Sequence, residues 1–244
     1  MITSVDNPRV KEVLRLRKGR ARRAAGLFIA EGPREVARAR AAGLTLAATY
    51  YAPALIDWDE GEEVHERVLR KMSYRGEPEG VIALVEIPHH TLPADSTLLL
   101  VAIGIEKPGN LGAMARTADA AGADALLVAD AGCDPWNPNA IRASTGSVFS
   151  LPIVATTAAD VSALPHTKVA ATLDGDTTFT EPNYTGPTAF IVGAEDEGLD
   201  DAWRSLADMR VVIPMKQEAA ADSLNASTAA ALLLYEAVRQ RGAT

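Results

Sequence analysis

Residues 96–130, STLLLVAIGIEKPGNLGAMARTADAAGADALLVAD, place two apolar runs on either side of a helical pattern. The runs at residues 98–104 and 123–130 are short and continuous, which predicts two buried strands. Between them, apolar residues recur at helical spacing and predict a helix with one buried face. These residues are Leu111, Met114, Ala115 and Ala118. The loop before this helix follows the carboxyl end of a strand, where ligands bind in open α/β sheets.

The predicted helix carries a cation whose position needs an explanation. Asn110 is predicted to cap the start of the helix, and Gly122 is predicted to close it about three turns later. Arg116 lies off the apolar stripe and, with this start, near the amino-terminal end, where the helix dipole favours anions. The sequence therefore predicts that Arg116 serves a ligand and not the helix.

The rest of the chain extends this pattern into two α/β domains. From residue 97 onward, apolar runs at 168–173, 188–193 and 210–214 alternate with helical segments. This alternation predicts a mainly parallel sheet covered by helices on both faces. Residues 1–90 are predicted to form a separate, smaller α/β domain.

A polar segment, PHHTLPADST at residues 88–97, joins the two predicted domains. Its paired histidines, His89 and His90, are a feature of some metal sites. No further His, Cys or carboxylate stands near them at ligand spacing, so a solvated linker is predicted and no metal site.

Cysteine content and hydropathy indicate the compartment. The chain of 244 residues has one cysteine, Cys133, which cannot form an internal disulfide, so a reducing cytoplasm is expected. No run approaches 18 apolar residues, and the amino terminus lacks the apolar core of a signal peptide. Neither a membrane span nor secretion is predicted.

The charge distribution favours a nucleic-acid partner despite a net charge of −8. Residues 1–40 contain eleven Lys and Arg against four Asp and Glu. A basic end on an acidic body is typical of a protein that meets phosphates with one surface, whereas the ordinary alternative is a solvated helix face. The predicted RNA-binding residues are Arg15, Arg17, Lys18, Arg20, Arg22 and Arg23.

Three loops at predicted strand ends carry glycine or polar side chains. The loop GIEKPGNLG at residues 104–112 has neither the spacing of a dinucleotide-binding fingerprint nor that of a P-loop. This disfavours a nucleotide-binding oxidoreductase and nucleoside triphosphate chemistry. The other two loops are GAEDEGLD at 193–200 and KQEAAADSLNAS at 216–227. Each loop alone fits a turn or a helix cap, but the three together indicate a ligand site.

These motifs carry a resemblance to a known family. PGNLGAMARTADAAG at 108–122, FIVGAEDEGL at 190–199, and VVIPM followed by DSLNAS at 211–227 resemble, in that order, the three motifs of the SpoU or TrmH family of SPOUT methyltransferases. The opening ITSVDNPRVKEVLRLRKGRARRAAGLFIAEGPREV at 2–36 is similar to the amino-terminal RNA-binding module, related to ribosomal protein L30e, of ribosomal-RNA members.

The resemblance implies a fold and an activity. It implies an α/β SPOUT domain over residues 97–244, with a parallel sheet and a deep trefoil knot, and an L30e-like RNA substrate-binding domain over residues 1–90. The implied reaction is methyl transfer from S-adenosylmethionine to a ribose 2′-hydroxyl of RNA, by a homodimer. The basic amino-terminal domain favours large-subunit 23S ribosomal RNA. Transfer RNA is the alternative substrate, and a non-catalytic RNA-binding protein on the same scaffold is the alternative function. The sequence leaves open whether the modification is housekeeping or confers antibiotic resistance.

The resemblance also assigns site residues. Arg116 matches the arginine of the first motif, and we interpret it as a positioning and charge-stabilising group because a guanidinium is a poor base near neutral pH. The other catalytic positions are Asn110, Glu195, Ser223 and Asn225. The implied cofactor contacts are Thr172, Leu173, Gly193, Ala194, Ile213, Met215, Ser223 and Leu224.

The chain departs from the family pattern at three places. Ala194 stands where many relatives have Asn or Ser, and Lys107 where many have Asp. The loop between Ile213 and Leu224 is longer than the common pattern, which affects where the cofactor contacts in that loop are placed.

Overall fold

A computed structural model of the chain describes residues 1–130, 132–194, 198–216 and 222–242. These residues form two compact units. The first unit consists of Met1–His89 together with Trp136–Ser150, and the second of His90–Pro135 together with Leu151–Thr244.

The elements follow one another as two helix-and-strand series. The helices are α1 (Pro8–Arg15), α2 (Gly19–Ala25), α3 (Pro33–Ala41), α4 (Glu66–Met72), α5 (Pro108–Ala120), α6 (Pro138–Ser144), α7 (Ala158–Ser162), α8 (Asp201–Leu206) and α9 (Ala226–Arg241). The strands are β1 (Leu27–Glu31), β2 (Leu46–Tyr51), β3 (Glu62–Glu63), β4 (Val81–Glu86), β5 (Leu98–Ile103), β6 (Ala125–Ala129), β7 (Ile153–Ala155), β8 (Thr167–Ala171), β9 (Thr177–Thr178), β10 (Thr188–Val192) and β11 (Met209–Val212).

The first unit is built on a four-stranded sheet in the order β1-β4-β2-β3. β4 pairs antiparallel with both β1 and β2, and β2 pairs parallel with β3. Helix α1 begins after Asn7, whose side chain accepts a hydrogen bond from the Arg9 amide, and proline at the first helical position favours the same start. The buried face of α1 packs with the strands in a core that includes Val10, Val13, Ile29 and Leu84.

The segment Trp136–Ser150 belongs to this first unit. The Phe28 ring of β1 stacks on Trp136 and on Phe149, with centroid distances of 4.9 and 5.5 Å. The sequence pattern had placed α6 in the alternation beyond residue 97, and nothing in its local spacing indicated these aromatic partners. The functional division of the chain at residues 90 and 97 stays a prediction.

The second unit is built on a seven-stranded sheet in the order β7-β6-β5-β10-β8-β11-β9, and all its strand pairs are parallel. Every residue of β5, β6 and β10 is buried, as expected for strands inside a parallel sheet. The predicted parallel α/β fold is therefore confirmed, whereas the trefoil knot stays a prediction. Because parallel strands end at one edge, the loops after β5, β8, β10 and β11 meet there.

Candidate functional site

Helix α5 begins earlier than its sequence suggested. Its first residue is Pro108, preceded by Lys107 at the capping position, so Asn110 is the third residue of the helix. The prediction that Asn110 caps the helix is wrong, because proline pre-sets the backbone of the first turn. The predicted end is confirmed: the helix stops before Ala121, and Gly122 follows with a φ of +70°.

Arg116 is an exposed residue on a helix whose other face is buried. With the helix starting at Pro108, Arg116 is the ninth of its thirteen residues, so the helix dipole does not oppose its charge. The prediction that the helix dipole disfavours a cation at this position is therefore wrong. Among the described residues, no hydrogen-bond or ion-pair partner of the Arg116 side chain is found. Its guanidinium is available to a ligand.

A hydrogen bond joins the first and third motifs. Asn225 caps α9 by accepting a hydrogen bond from the Ser227 amide at 2.9 Å. The Asn225 amide nitrogen then donates to the side-chain oxygen of Asn110 at 3.1 Å. The two contacts use both ends of one amide group, which fixes its orientation. Two of the five predicted catalytic residues are thus in direct contact.

A cavity of about 270 Å³ opens where β8, β10 and β11 end. Its volume is near the lower end of the roughly 300–1,000 Å³ typical of small-molecule sites. The structure brings all eight predicted cofactor contacts together in its wall, namely Thr172, Leu173, Gly193, Ala194, Ile213, Met215, Ser223 and Leu224. Among the described residues, the buried Thr172 hydroxyl oxygen has no partner at normal hydrogen-bond distance, although it lies close enough to the Asp174 carboxylate to contribute to the lowered pKa of that group. An unpaired buried hydroxyl is costly, so this atom is suited to a ligand.

The wall of this cavity also contains Asp174 and Arg204, which form an ion pair. The hydrogen bond from the Arg204 guanidinium lowers the pKa of the Asp174 carboxyl group, so the carboxyl is ionised at neutral pH. Neither residue was among the predicted site residues. Asp174 lies in the segment after β8 and Arg204 lies in α8, 30 positions further along the chain. No local sequence pattern therefore indicates that they form a pair.

A second cavity, of about 390 Å³, adjoins the first, and both are lined by Ala194 and Gly198. Asn110, Asp130 and Trp203 contribute to its wall. Asp130 has a left-handed backbone with φ of 49°, and its carboxylate accepts a hydrogen bond from the Trp203 indole at 3.1 Å. A group held in this second cavity would lie beside a ligand of the first.

The backbone of its own loop requires glycine at position 193. A Cβ at this position would lie 2.3 Å from the carbonyl oxygen of Gly198, so no larger residue fits. The atom that closely approaches Gly193 therefore belongs to its own loop. Glu195, the predicted catalytic residue of this loop, lies outside the described residues.

The predicted RNA-binding cations of residues 15–23 include both exposed and buried side chains. Arg22 is 1% exposed, and its guanidinium donates to the carbonyl oxygens of Leu16 and Arg17, each at 2.9 Å. The prediction that Arg22 contacts phosphates is therefore wrong, because its donors are buried and used within the fold. The half-buried Arg17 donates to the carbonyls of Lys71 and Ser73 at 2.9 and 2.6 Å. The exposed members of the set are Arg15, Lys18, Arg20 and Arg23.

Neither a metal-binding cluster nor a membrane-spanning helix is found in the described part of the chain. It contains no cluster of three or more His, Cys, Asp or Glu side chains arranged to hold a metal ion. None of its helices combines the length and hydropathy that a membrane crossing requires.

Comparison with known proteins gives two family matches and several full-length relatives. Residues 97–235 match the SpoU rRNA Methylase family, and residues 7–83 match the MRM3-like substrate binding domain. The chain is 40% identical over 178 residues to a 23S rRNA (uridine(2479)-2′-O)-methyltransferase of Streptomyces viridochromogenes, an alignment that covers 67% of this chain and 61% of that relative. It is 30% identical to the 23S rRNA (guanosine(2553)-2′-O)-methyltransferase RlmP of Bacillus subtilis, across 96% of this chain and 97% of that relative.

A solved structure extends the similarity to the three-dimensional fold. The SpoU methyltransferase AviRb of Streptomyces viridochromogenes, crystallised in complex with the cofactor AdoMet, superposes with a TM-score of 0.86 at 32% identity. The superposition covers 97% of this chain and 99% of that one. The SpoU match spans more than half of the chain and contains all three motifs, of which the second and third line the first cavity described above. The chain therefore belongs to the SpoU rRNA methylase family.

Proposed function

We propose that this protein transfers a methyl group from S-adenosylmethionine to a ribose 2′-hydroxyl of 23S ribosomal RNA. The observation that carries the proposal is the cavity at the carboxyl ends of β8, β10 and β11, whose wall contains every cofactor contact that the motifs imply. Family membership and the activities named for its relatives support the same reaction. The compartment we propose is the cytoplasm.

The residues of the cavity fit S-adenosylmethionine. The wall is largely apolar, as an adenine ring requires, and the unpaired hydroxyl of Thr172 offers a polar contact. When bound, the cofactor supplies an electrophilic methyl group on a sulfonium sulfur. Ile213, Met215 and Leu224 would hold it mainly by apolar contact.

We propose that residues of this chain contribute to catalysis by aligning the acceptor hydroxyl. We propose that the exposed Arg116 binds the RNA phosphate beside the reacting ribose and stabilises the 2′-oxygen as its proton passes to solvent. Asn110 and Asn225, joined by their hydrogen bond, fix the first motif against the third. Ser223 lines the cavity, and Glu195 belongs to the adjoining loop. Positioning of reacting groups can account for a large part of such a rate enhancement.

The RNA surface that we propose lies on the first unit. Its cations are the exposed side chains Arg15, Lys18, Arg20 and Arg23. The match of residues 7–83 to a substrate binding domain supports this placement. We further propose a homodimer in which α9 contributes to the interface, because α9 exposes Leu232 and Tyr235, with 38% and 51% of their surface accessible.

The decisive experiment is a methylation assay with purified protein and labelled S-adenosylmethionine. Ribosomal RNA from cells that lack the gene, and total transfer RNA, serve as separate substrates. The proposal requires 2′-O-methylation at a defined position of 23S RNA. Methylation of transfer RNA alone would contradict the proposed substrate. Calorimetry that detects no S-adenosylmethionine binding would instead favour a non-catalytic RNA-binding protein.

A further inference from the structure

The cofactor cavity contains a single pair of opposite charges. Among the described residues of its wall, Asp174 and Arg204 are the charged ones, and the others are apolar or uncharged. Asp174 follows β8, and Arg204 projects from α8. Their side chains are 60% and 31% exposed, so a ligand in the cavity can reach both.

The pair has unused hydrogen-bonding capacity. Arg204 contacts the Asp174 carboxylate through one terminal nitrogen, which is the one hydrogen bond that its side chain makes with the described residues. A guanidinium carries five N–H donors, and a carboxylate has about four acceptor sites. Each group can therefore keep its partner and still bind a group of the opposite charge.

We propose that the Asp174–Arg204 pair binds the amino-acid end of S-adenosylmethionine, with Arg204 taking the α-carboxylate and Asp174 the α-ammonium group. The inference rests on the proposed function, because it assumes that this cofactor occupies the cavity. An adjacent cation and anion match a zwitterion in both charges, and a guanidinium holds a carboxylate with two parallel hydrogen bonds. The uncharged remainder of the wall is then left for the adenosine.

The alternative is that the ion pair is purely structural and only holds the segment after β8 against α8. A structural tie and a binding site differ in which ligands they affect. S-adenosylhomocysteine carries the amino-acid end, whereas 5′-methylthioadenosine has the same adenosine and thioether without it. Affinity for the two compounds therefore separates contacts with the amino-acid end from contacts with the adenosine.

The test is calorimetric titration of the full chain with each compound. In Arg204→Ala and in Asp174→Asn, the Kd for S-adenosylhomocysteine should rise about ten-fold or more, because each change removes a charge-assisted contact. The Kd for 5′-methylthioadenosine should change by less than about two-fold. Retained binding of 5′-methylthioadenosine also establishes that the variant cavity is folded.

The neighbouring pair Arg210–Asp176 provides a matched control. Its atoms are 2.8 Å apart, it connects β11 to the same segment after β8, and neither residue lines the cavity. Arg210→Ala should leave the affinity for both compounds unchanged. A sharper variant exchanges the charges, Asp174→Arg with Arg204→Asp, which keeps an ion pair but reverses its direction. We expect weak S-adenosylhomocysteine binding in that variant.

Three outcomes would overturn the inference. They are unchanged S-adenosylhomocysteine affinity in the single variants, equal losses for both compounds, and full S-adenosylhomocysteine affinity in the charge exchange. Failure of the wild-type chain to bind either compound would contradict the proposed function itself.

Discussion

At the scale of single residues, the site combines the solvent-exposed cation Arg116 with a fixed polar frame. Arg116 projects into solvent from a helix that buries Leu111, Met114 and Ala118. Asn110 and Asn225 are held by each other and by the start of α9. This frame joins the first motif to the third, and we propose that Arg116 gains its partner when RNA binds.

Replacement of Arg116 should therefore affect the reaction and not the cofactor. Arg116→Ala should lower the methyl-transfer rate by about 100-fold or more, while calorimetry shows an unchanged Kd for S-adenosylhomocysteine. Arg116→Lys keeps the charge but loses the planar fork, so it should restore little of the rate. A lysine variant with most of the wild-type rate would mean that charge alone suffices.

Asn225 has two roles that substitution can separate. Asn225→Ala removes the cap of α9 and should lower the free energy of unfolding by about 1 kcal/mol. Asn225→Ser keeps an oxygen that can cap the helix but is too short to reach Asn110, so stability should stay within about 0.5 kcal/mol of wild type. Both variants should slow methyl transfer, as measured with saturating cofactor. Full activity of the serine variant would show that the Asn110–Asn225 hydrogen bond is dispensable.

At the scale of elements, the local sequence pattern predicted strands correctly where every residue of the strand is buried. β5, β6 and β10 are buried throughout, and their continuous apolar runs predicted them directly. The start of α5 was mispredicted because capping preference was given to Asn110, whereas Pro108 fixes the first turn.

Contacts between distant parts of the chain were beyond local pattern. The buried carbonyl partners of Arg22, the ion pair of Asp174 with Arg204, and the stacking of Trp136 on Phe28 all depend on the assembled fold. The family resemblance nevertheless identified residues from three loops that meet in one cavity, namely the segment after β8, the second motif and the third motif.

Changes to the exposed and to the buried cations of residues 15–23 should affect different properties. The exposed cations should affect RNA binding, and the buried Arg22 should affect stability. Replacement of Arg15, Lys18, Arg20 and Arg23 by Gln should flatten the slope of log affinity against log salt by up to about 3 for an RNA fragment that binds the wild-type protein. Stability should hardly change, because these side chains are exposed. Fluorescence anisotropy at several salt concentrations measures the slope, and an unchanged slope would place the RNA surface elsewhere.

Arg22→Ala is the counterpart of that variant. It leaves the buried carbonyl oxygens of Leu16 and Arg17 without their donor, so the free energy of unfolding should fall by about 2–4 kcal/mol. Urea denaturation followed by circular dichroism measures the difference. Wild-type stability would contradict the structural role given to this guanidinium.

At the scale of the whole molecule, the cofactor cavity and Arg116 belong to the same unit of the chain, and we propose that in the homodimer each arginine reaches toward the cofactor of the partner subunit. The exposed Leu232 and Tyr235 of α9 offer an apolar surface for a two-fold interface. A monomer at micromolar concentration in light scattering would contradict both the dimer and the shared site.

Mixing two inactive variants tests the shared site directly. Arg116→Ala leaves the cavity intact, and Ala229→Phe, in the cavity wall, should exclude the cofactor while leaving Arg116 in place. If the arginine acts across the interface, each mixed dimer contains one complete site, and randomly mixed subunits should recover about a quarter of the wild-type rate. If the arginine acts within its own subunit, no dimer contains a complete site and the mixture stays inactive. The converse mixture pairs wild type with a chain that carries both Arg116→Ala and Ala229→Phe, so a mixed dimer has a complete site only if the arginine acts within its own subunit. That mixture should keep about a quarter of the wild-type rate if the arginine acts across the interface and about half if it does not.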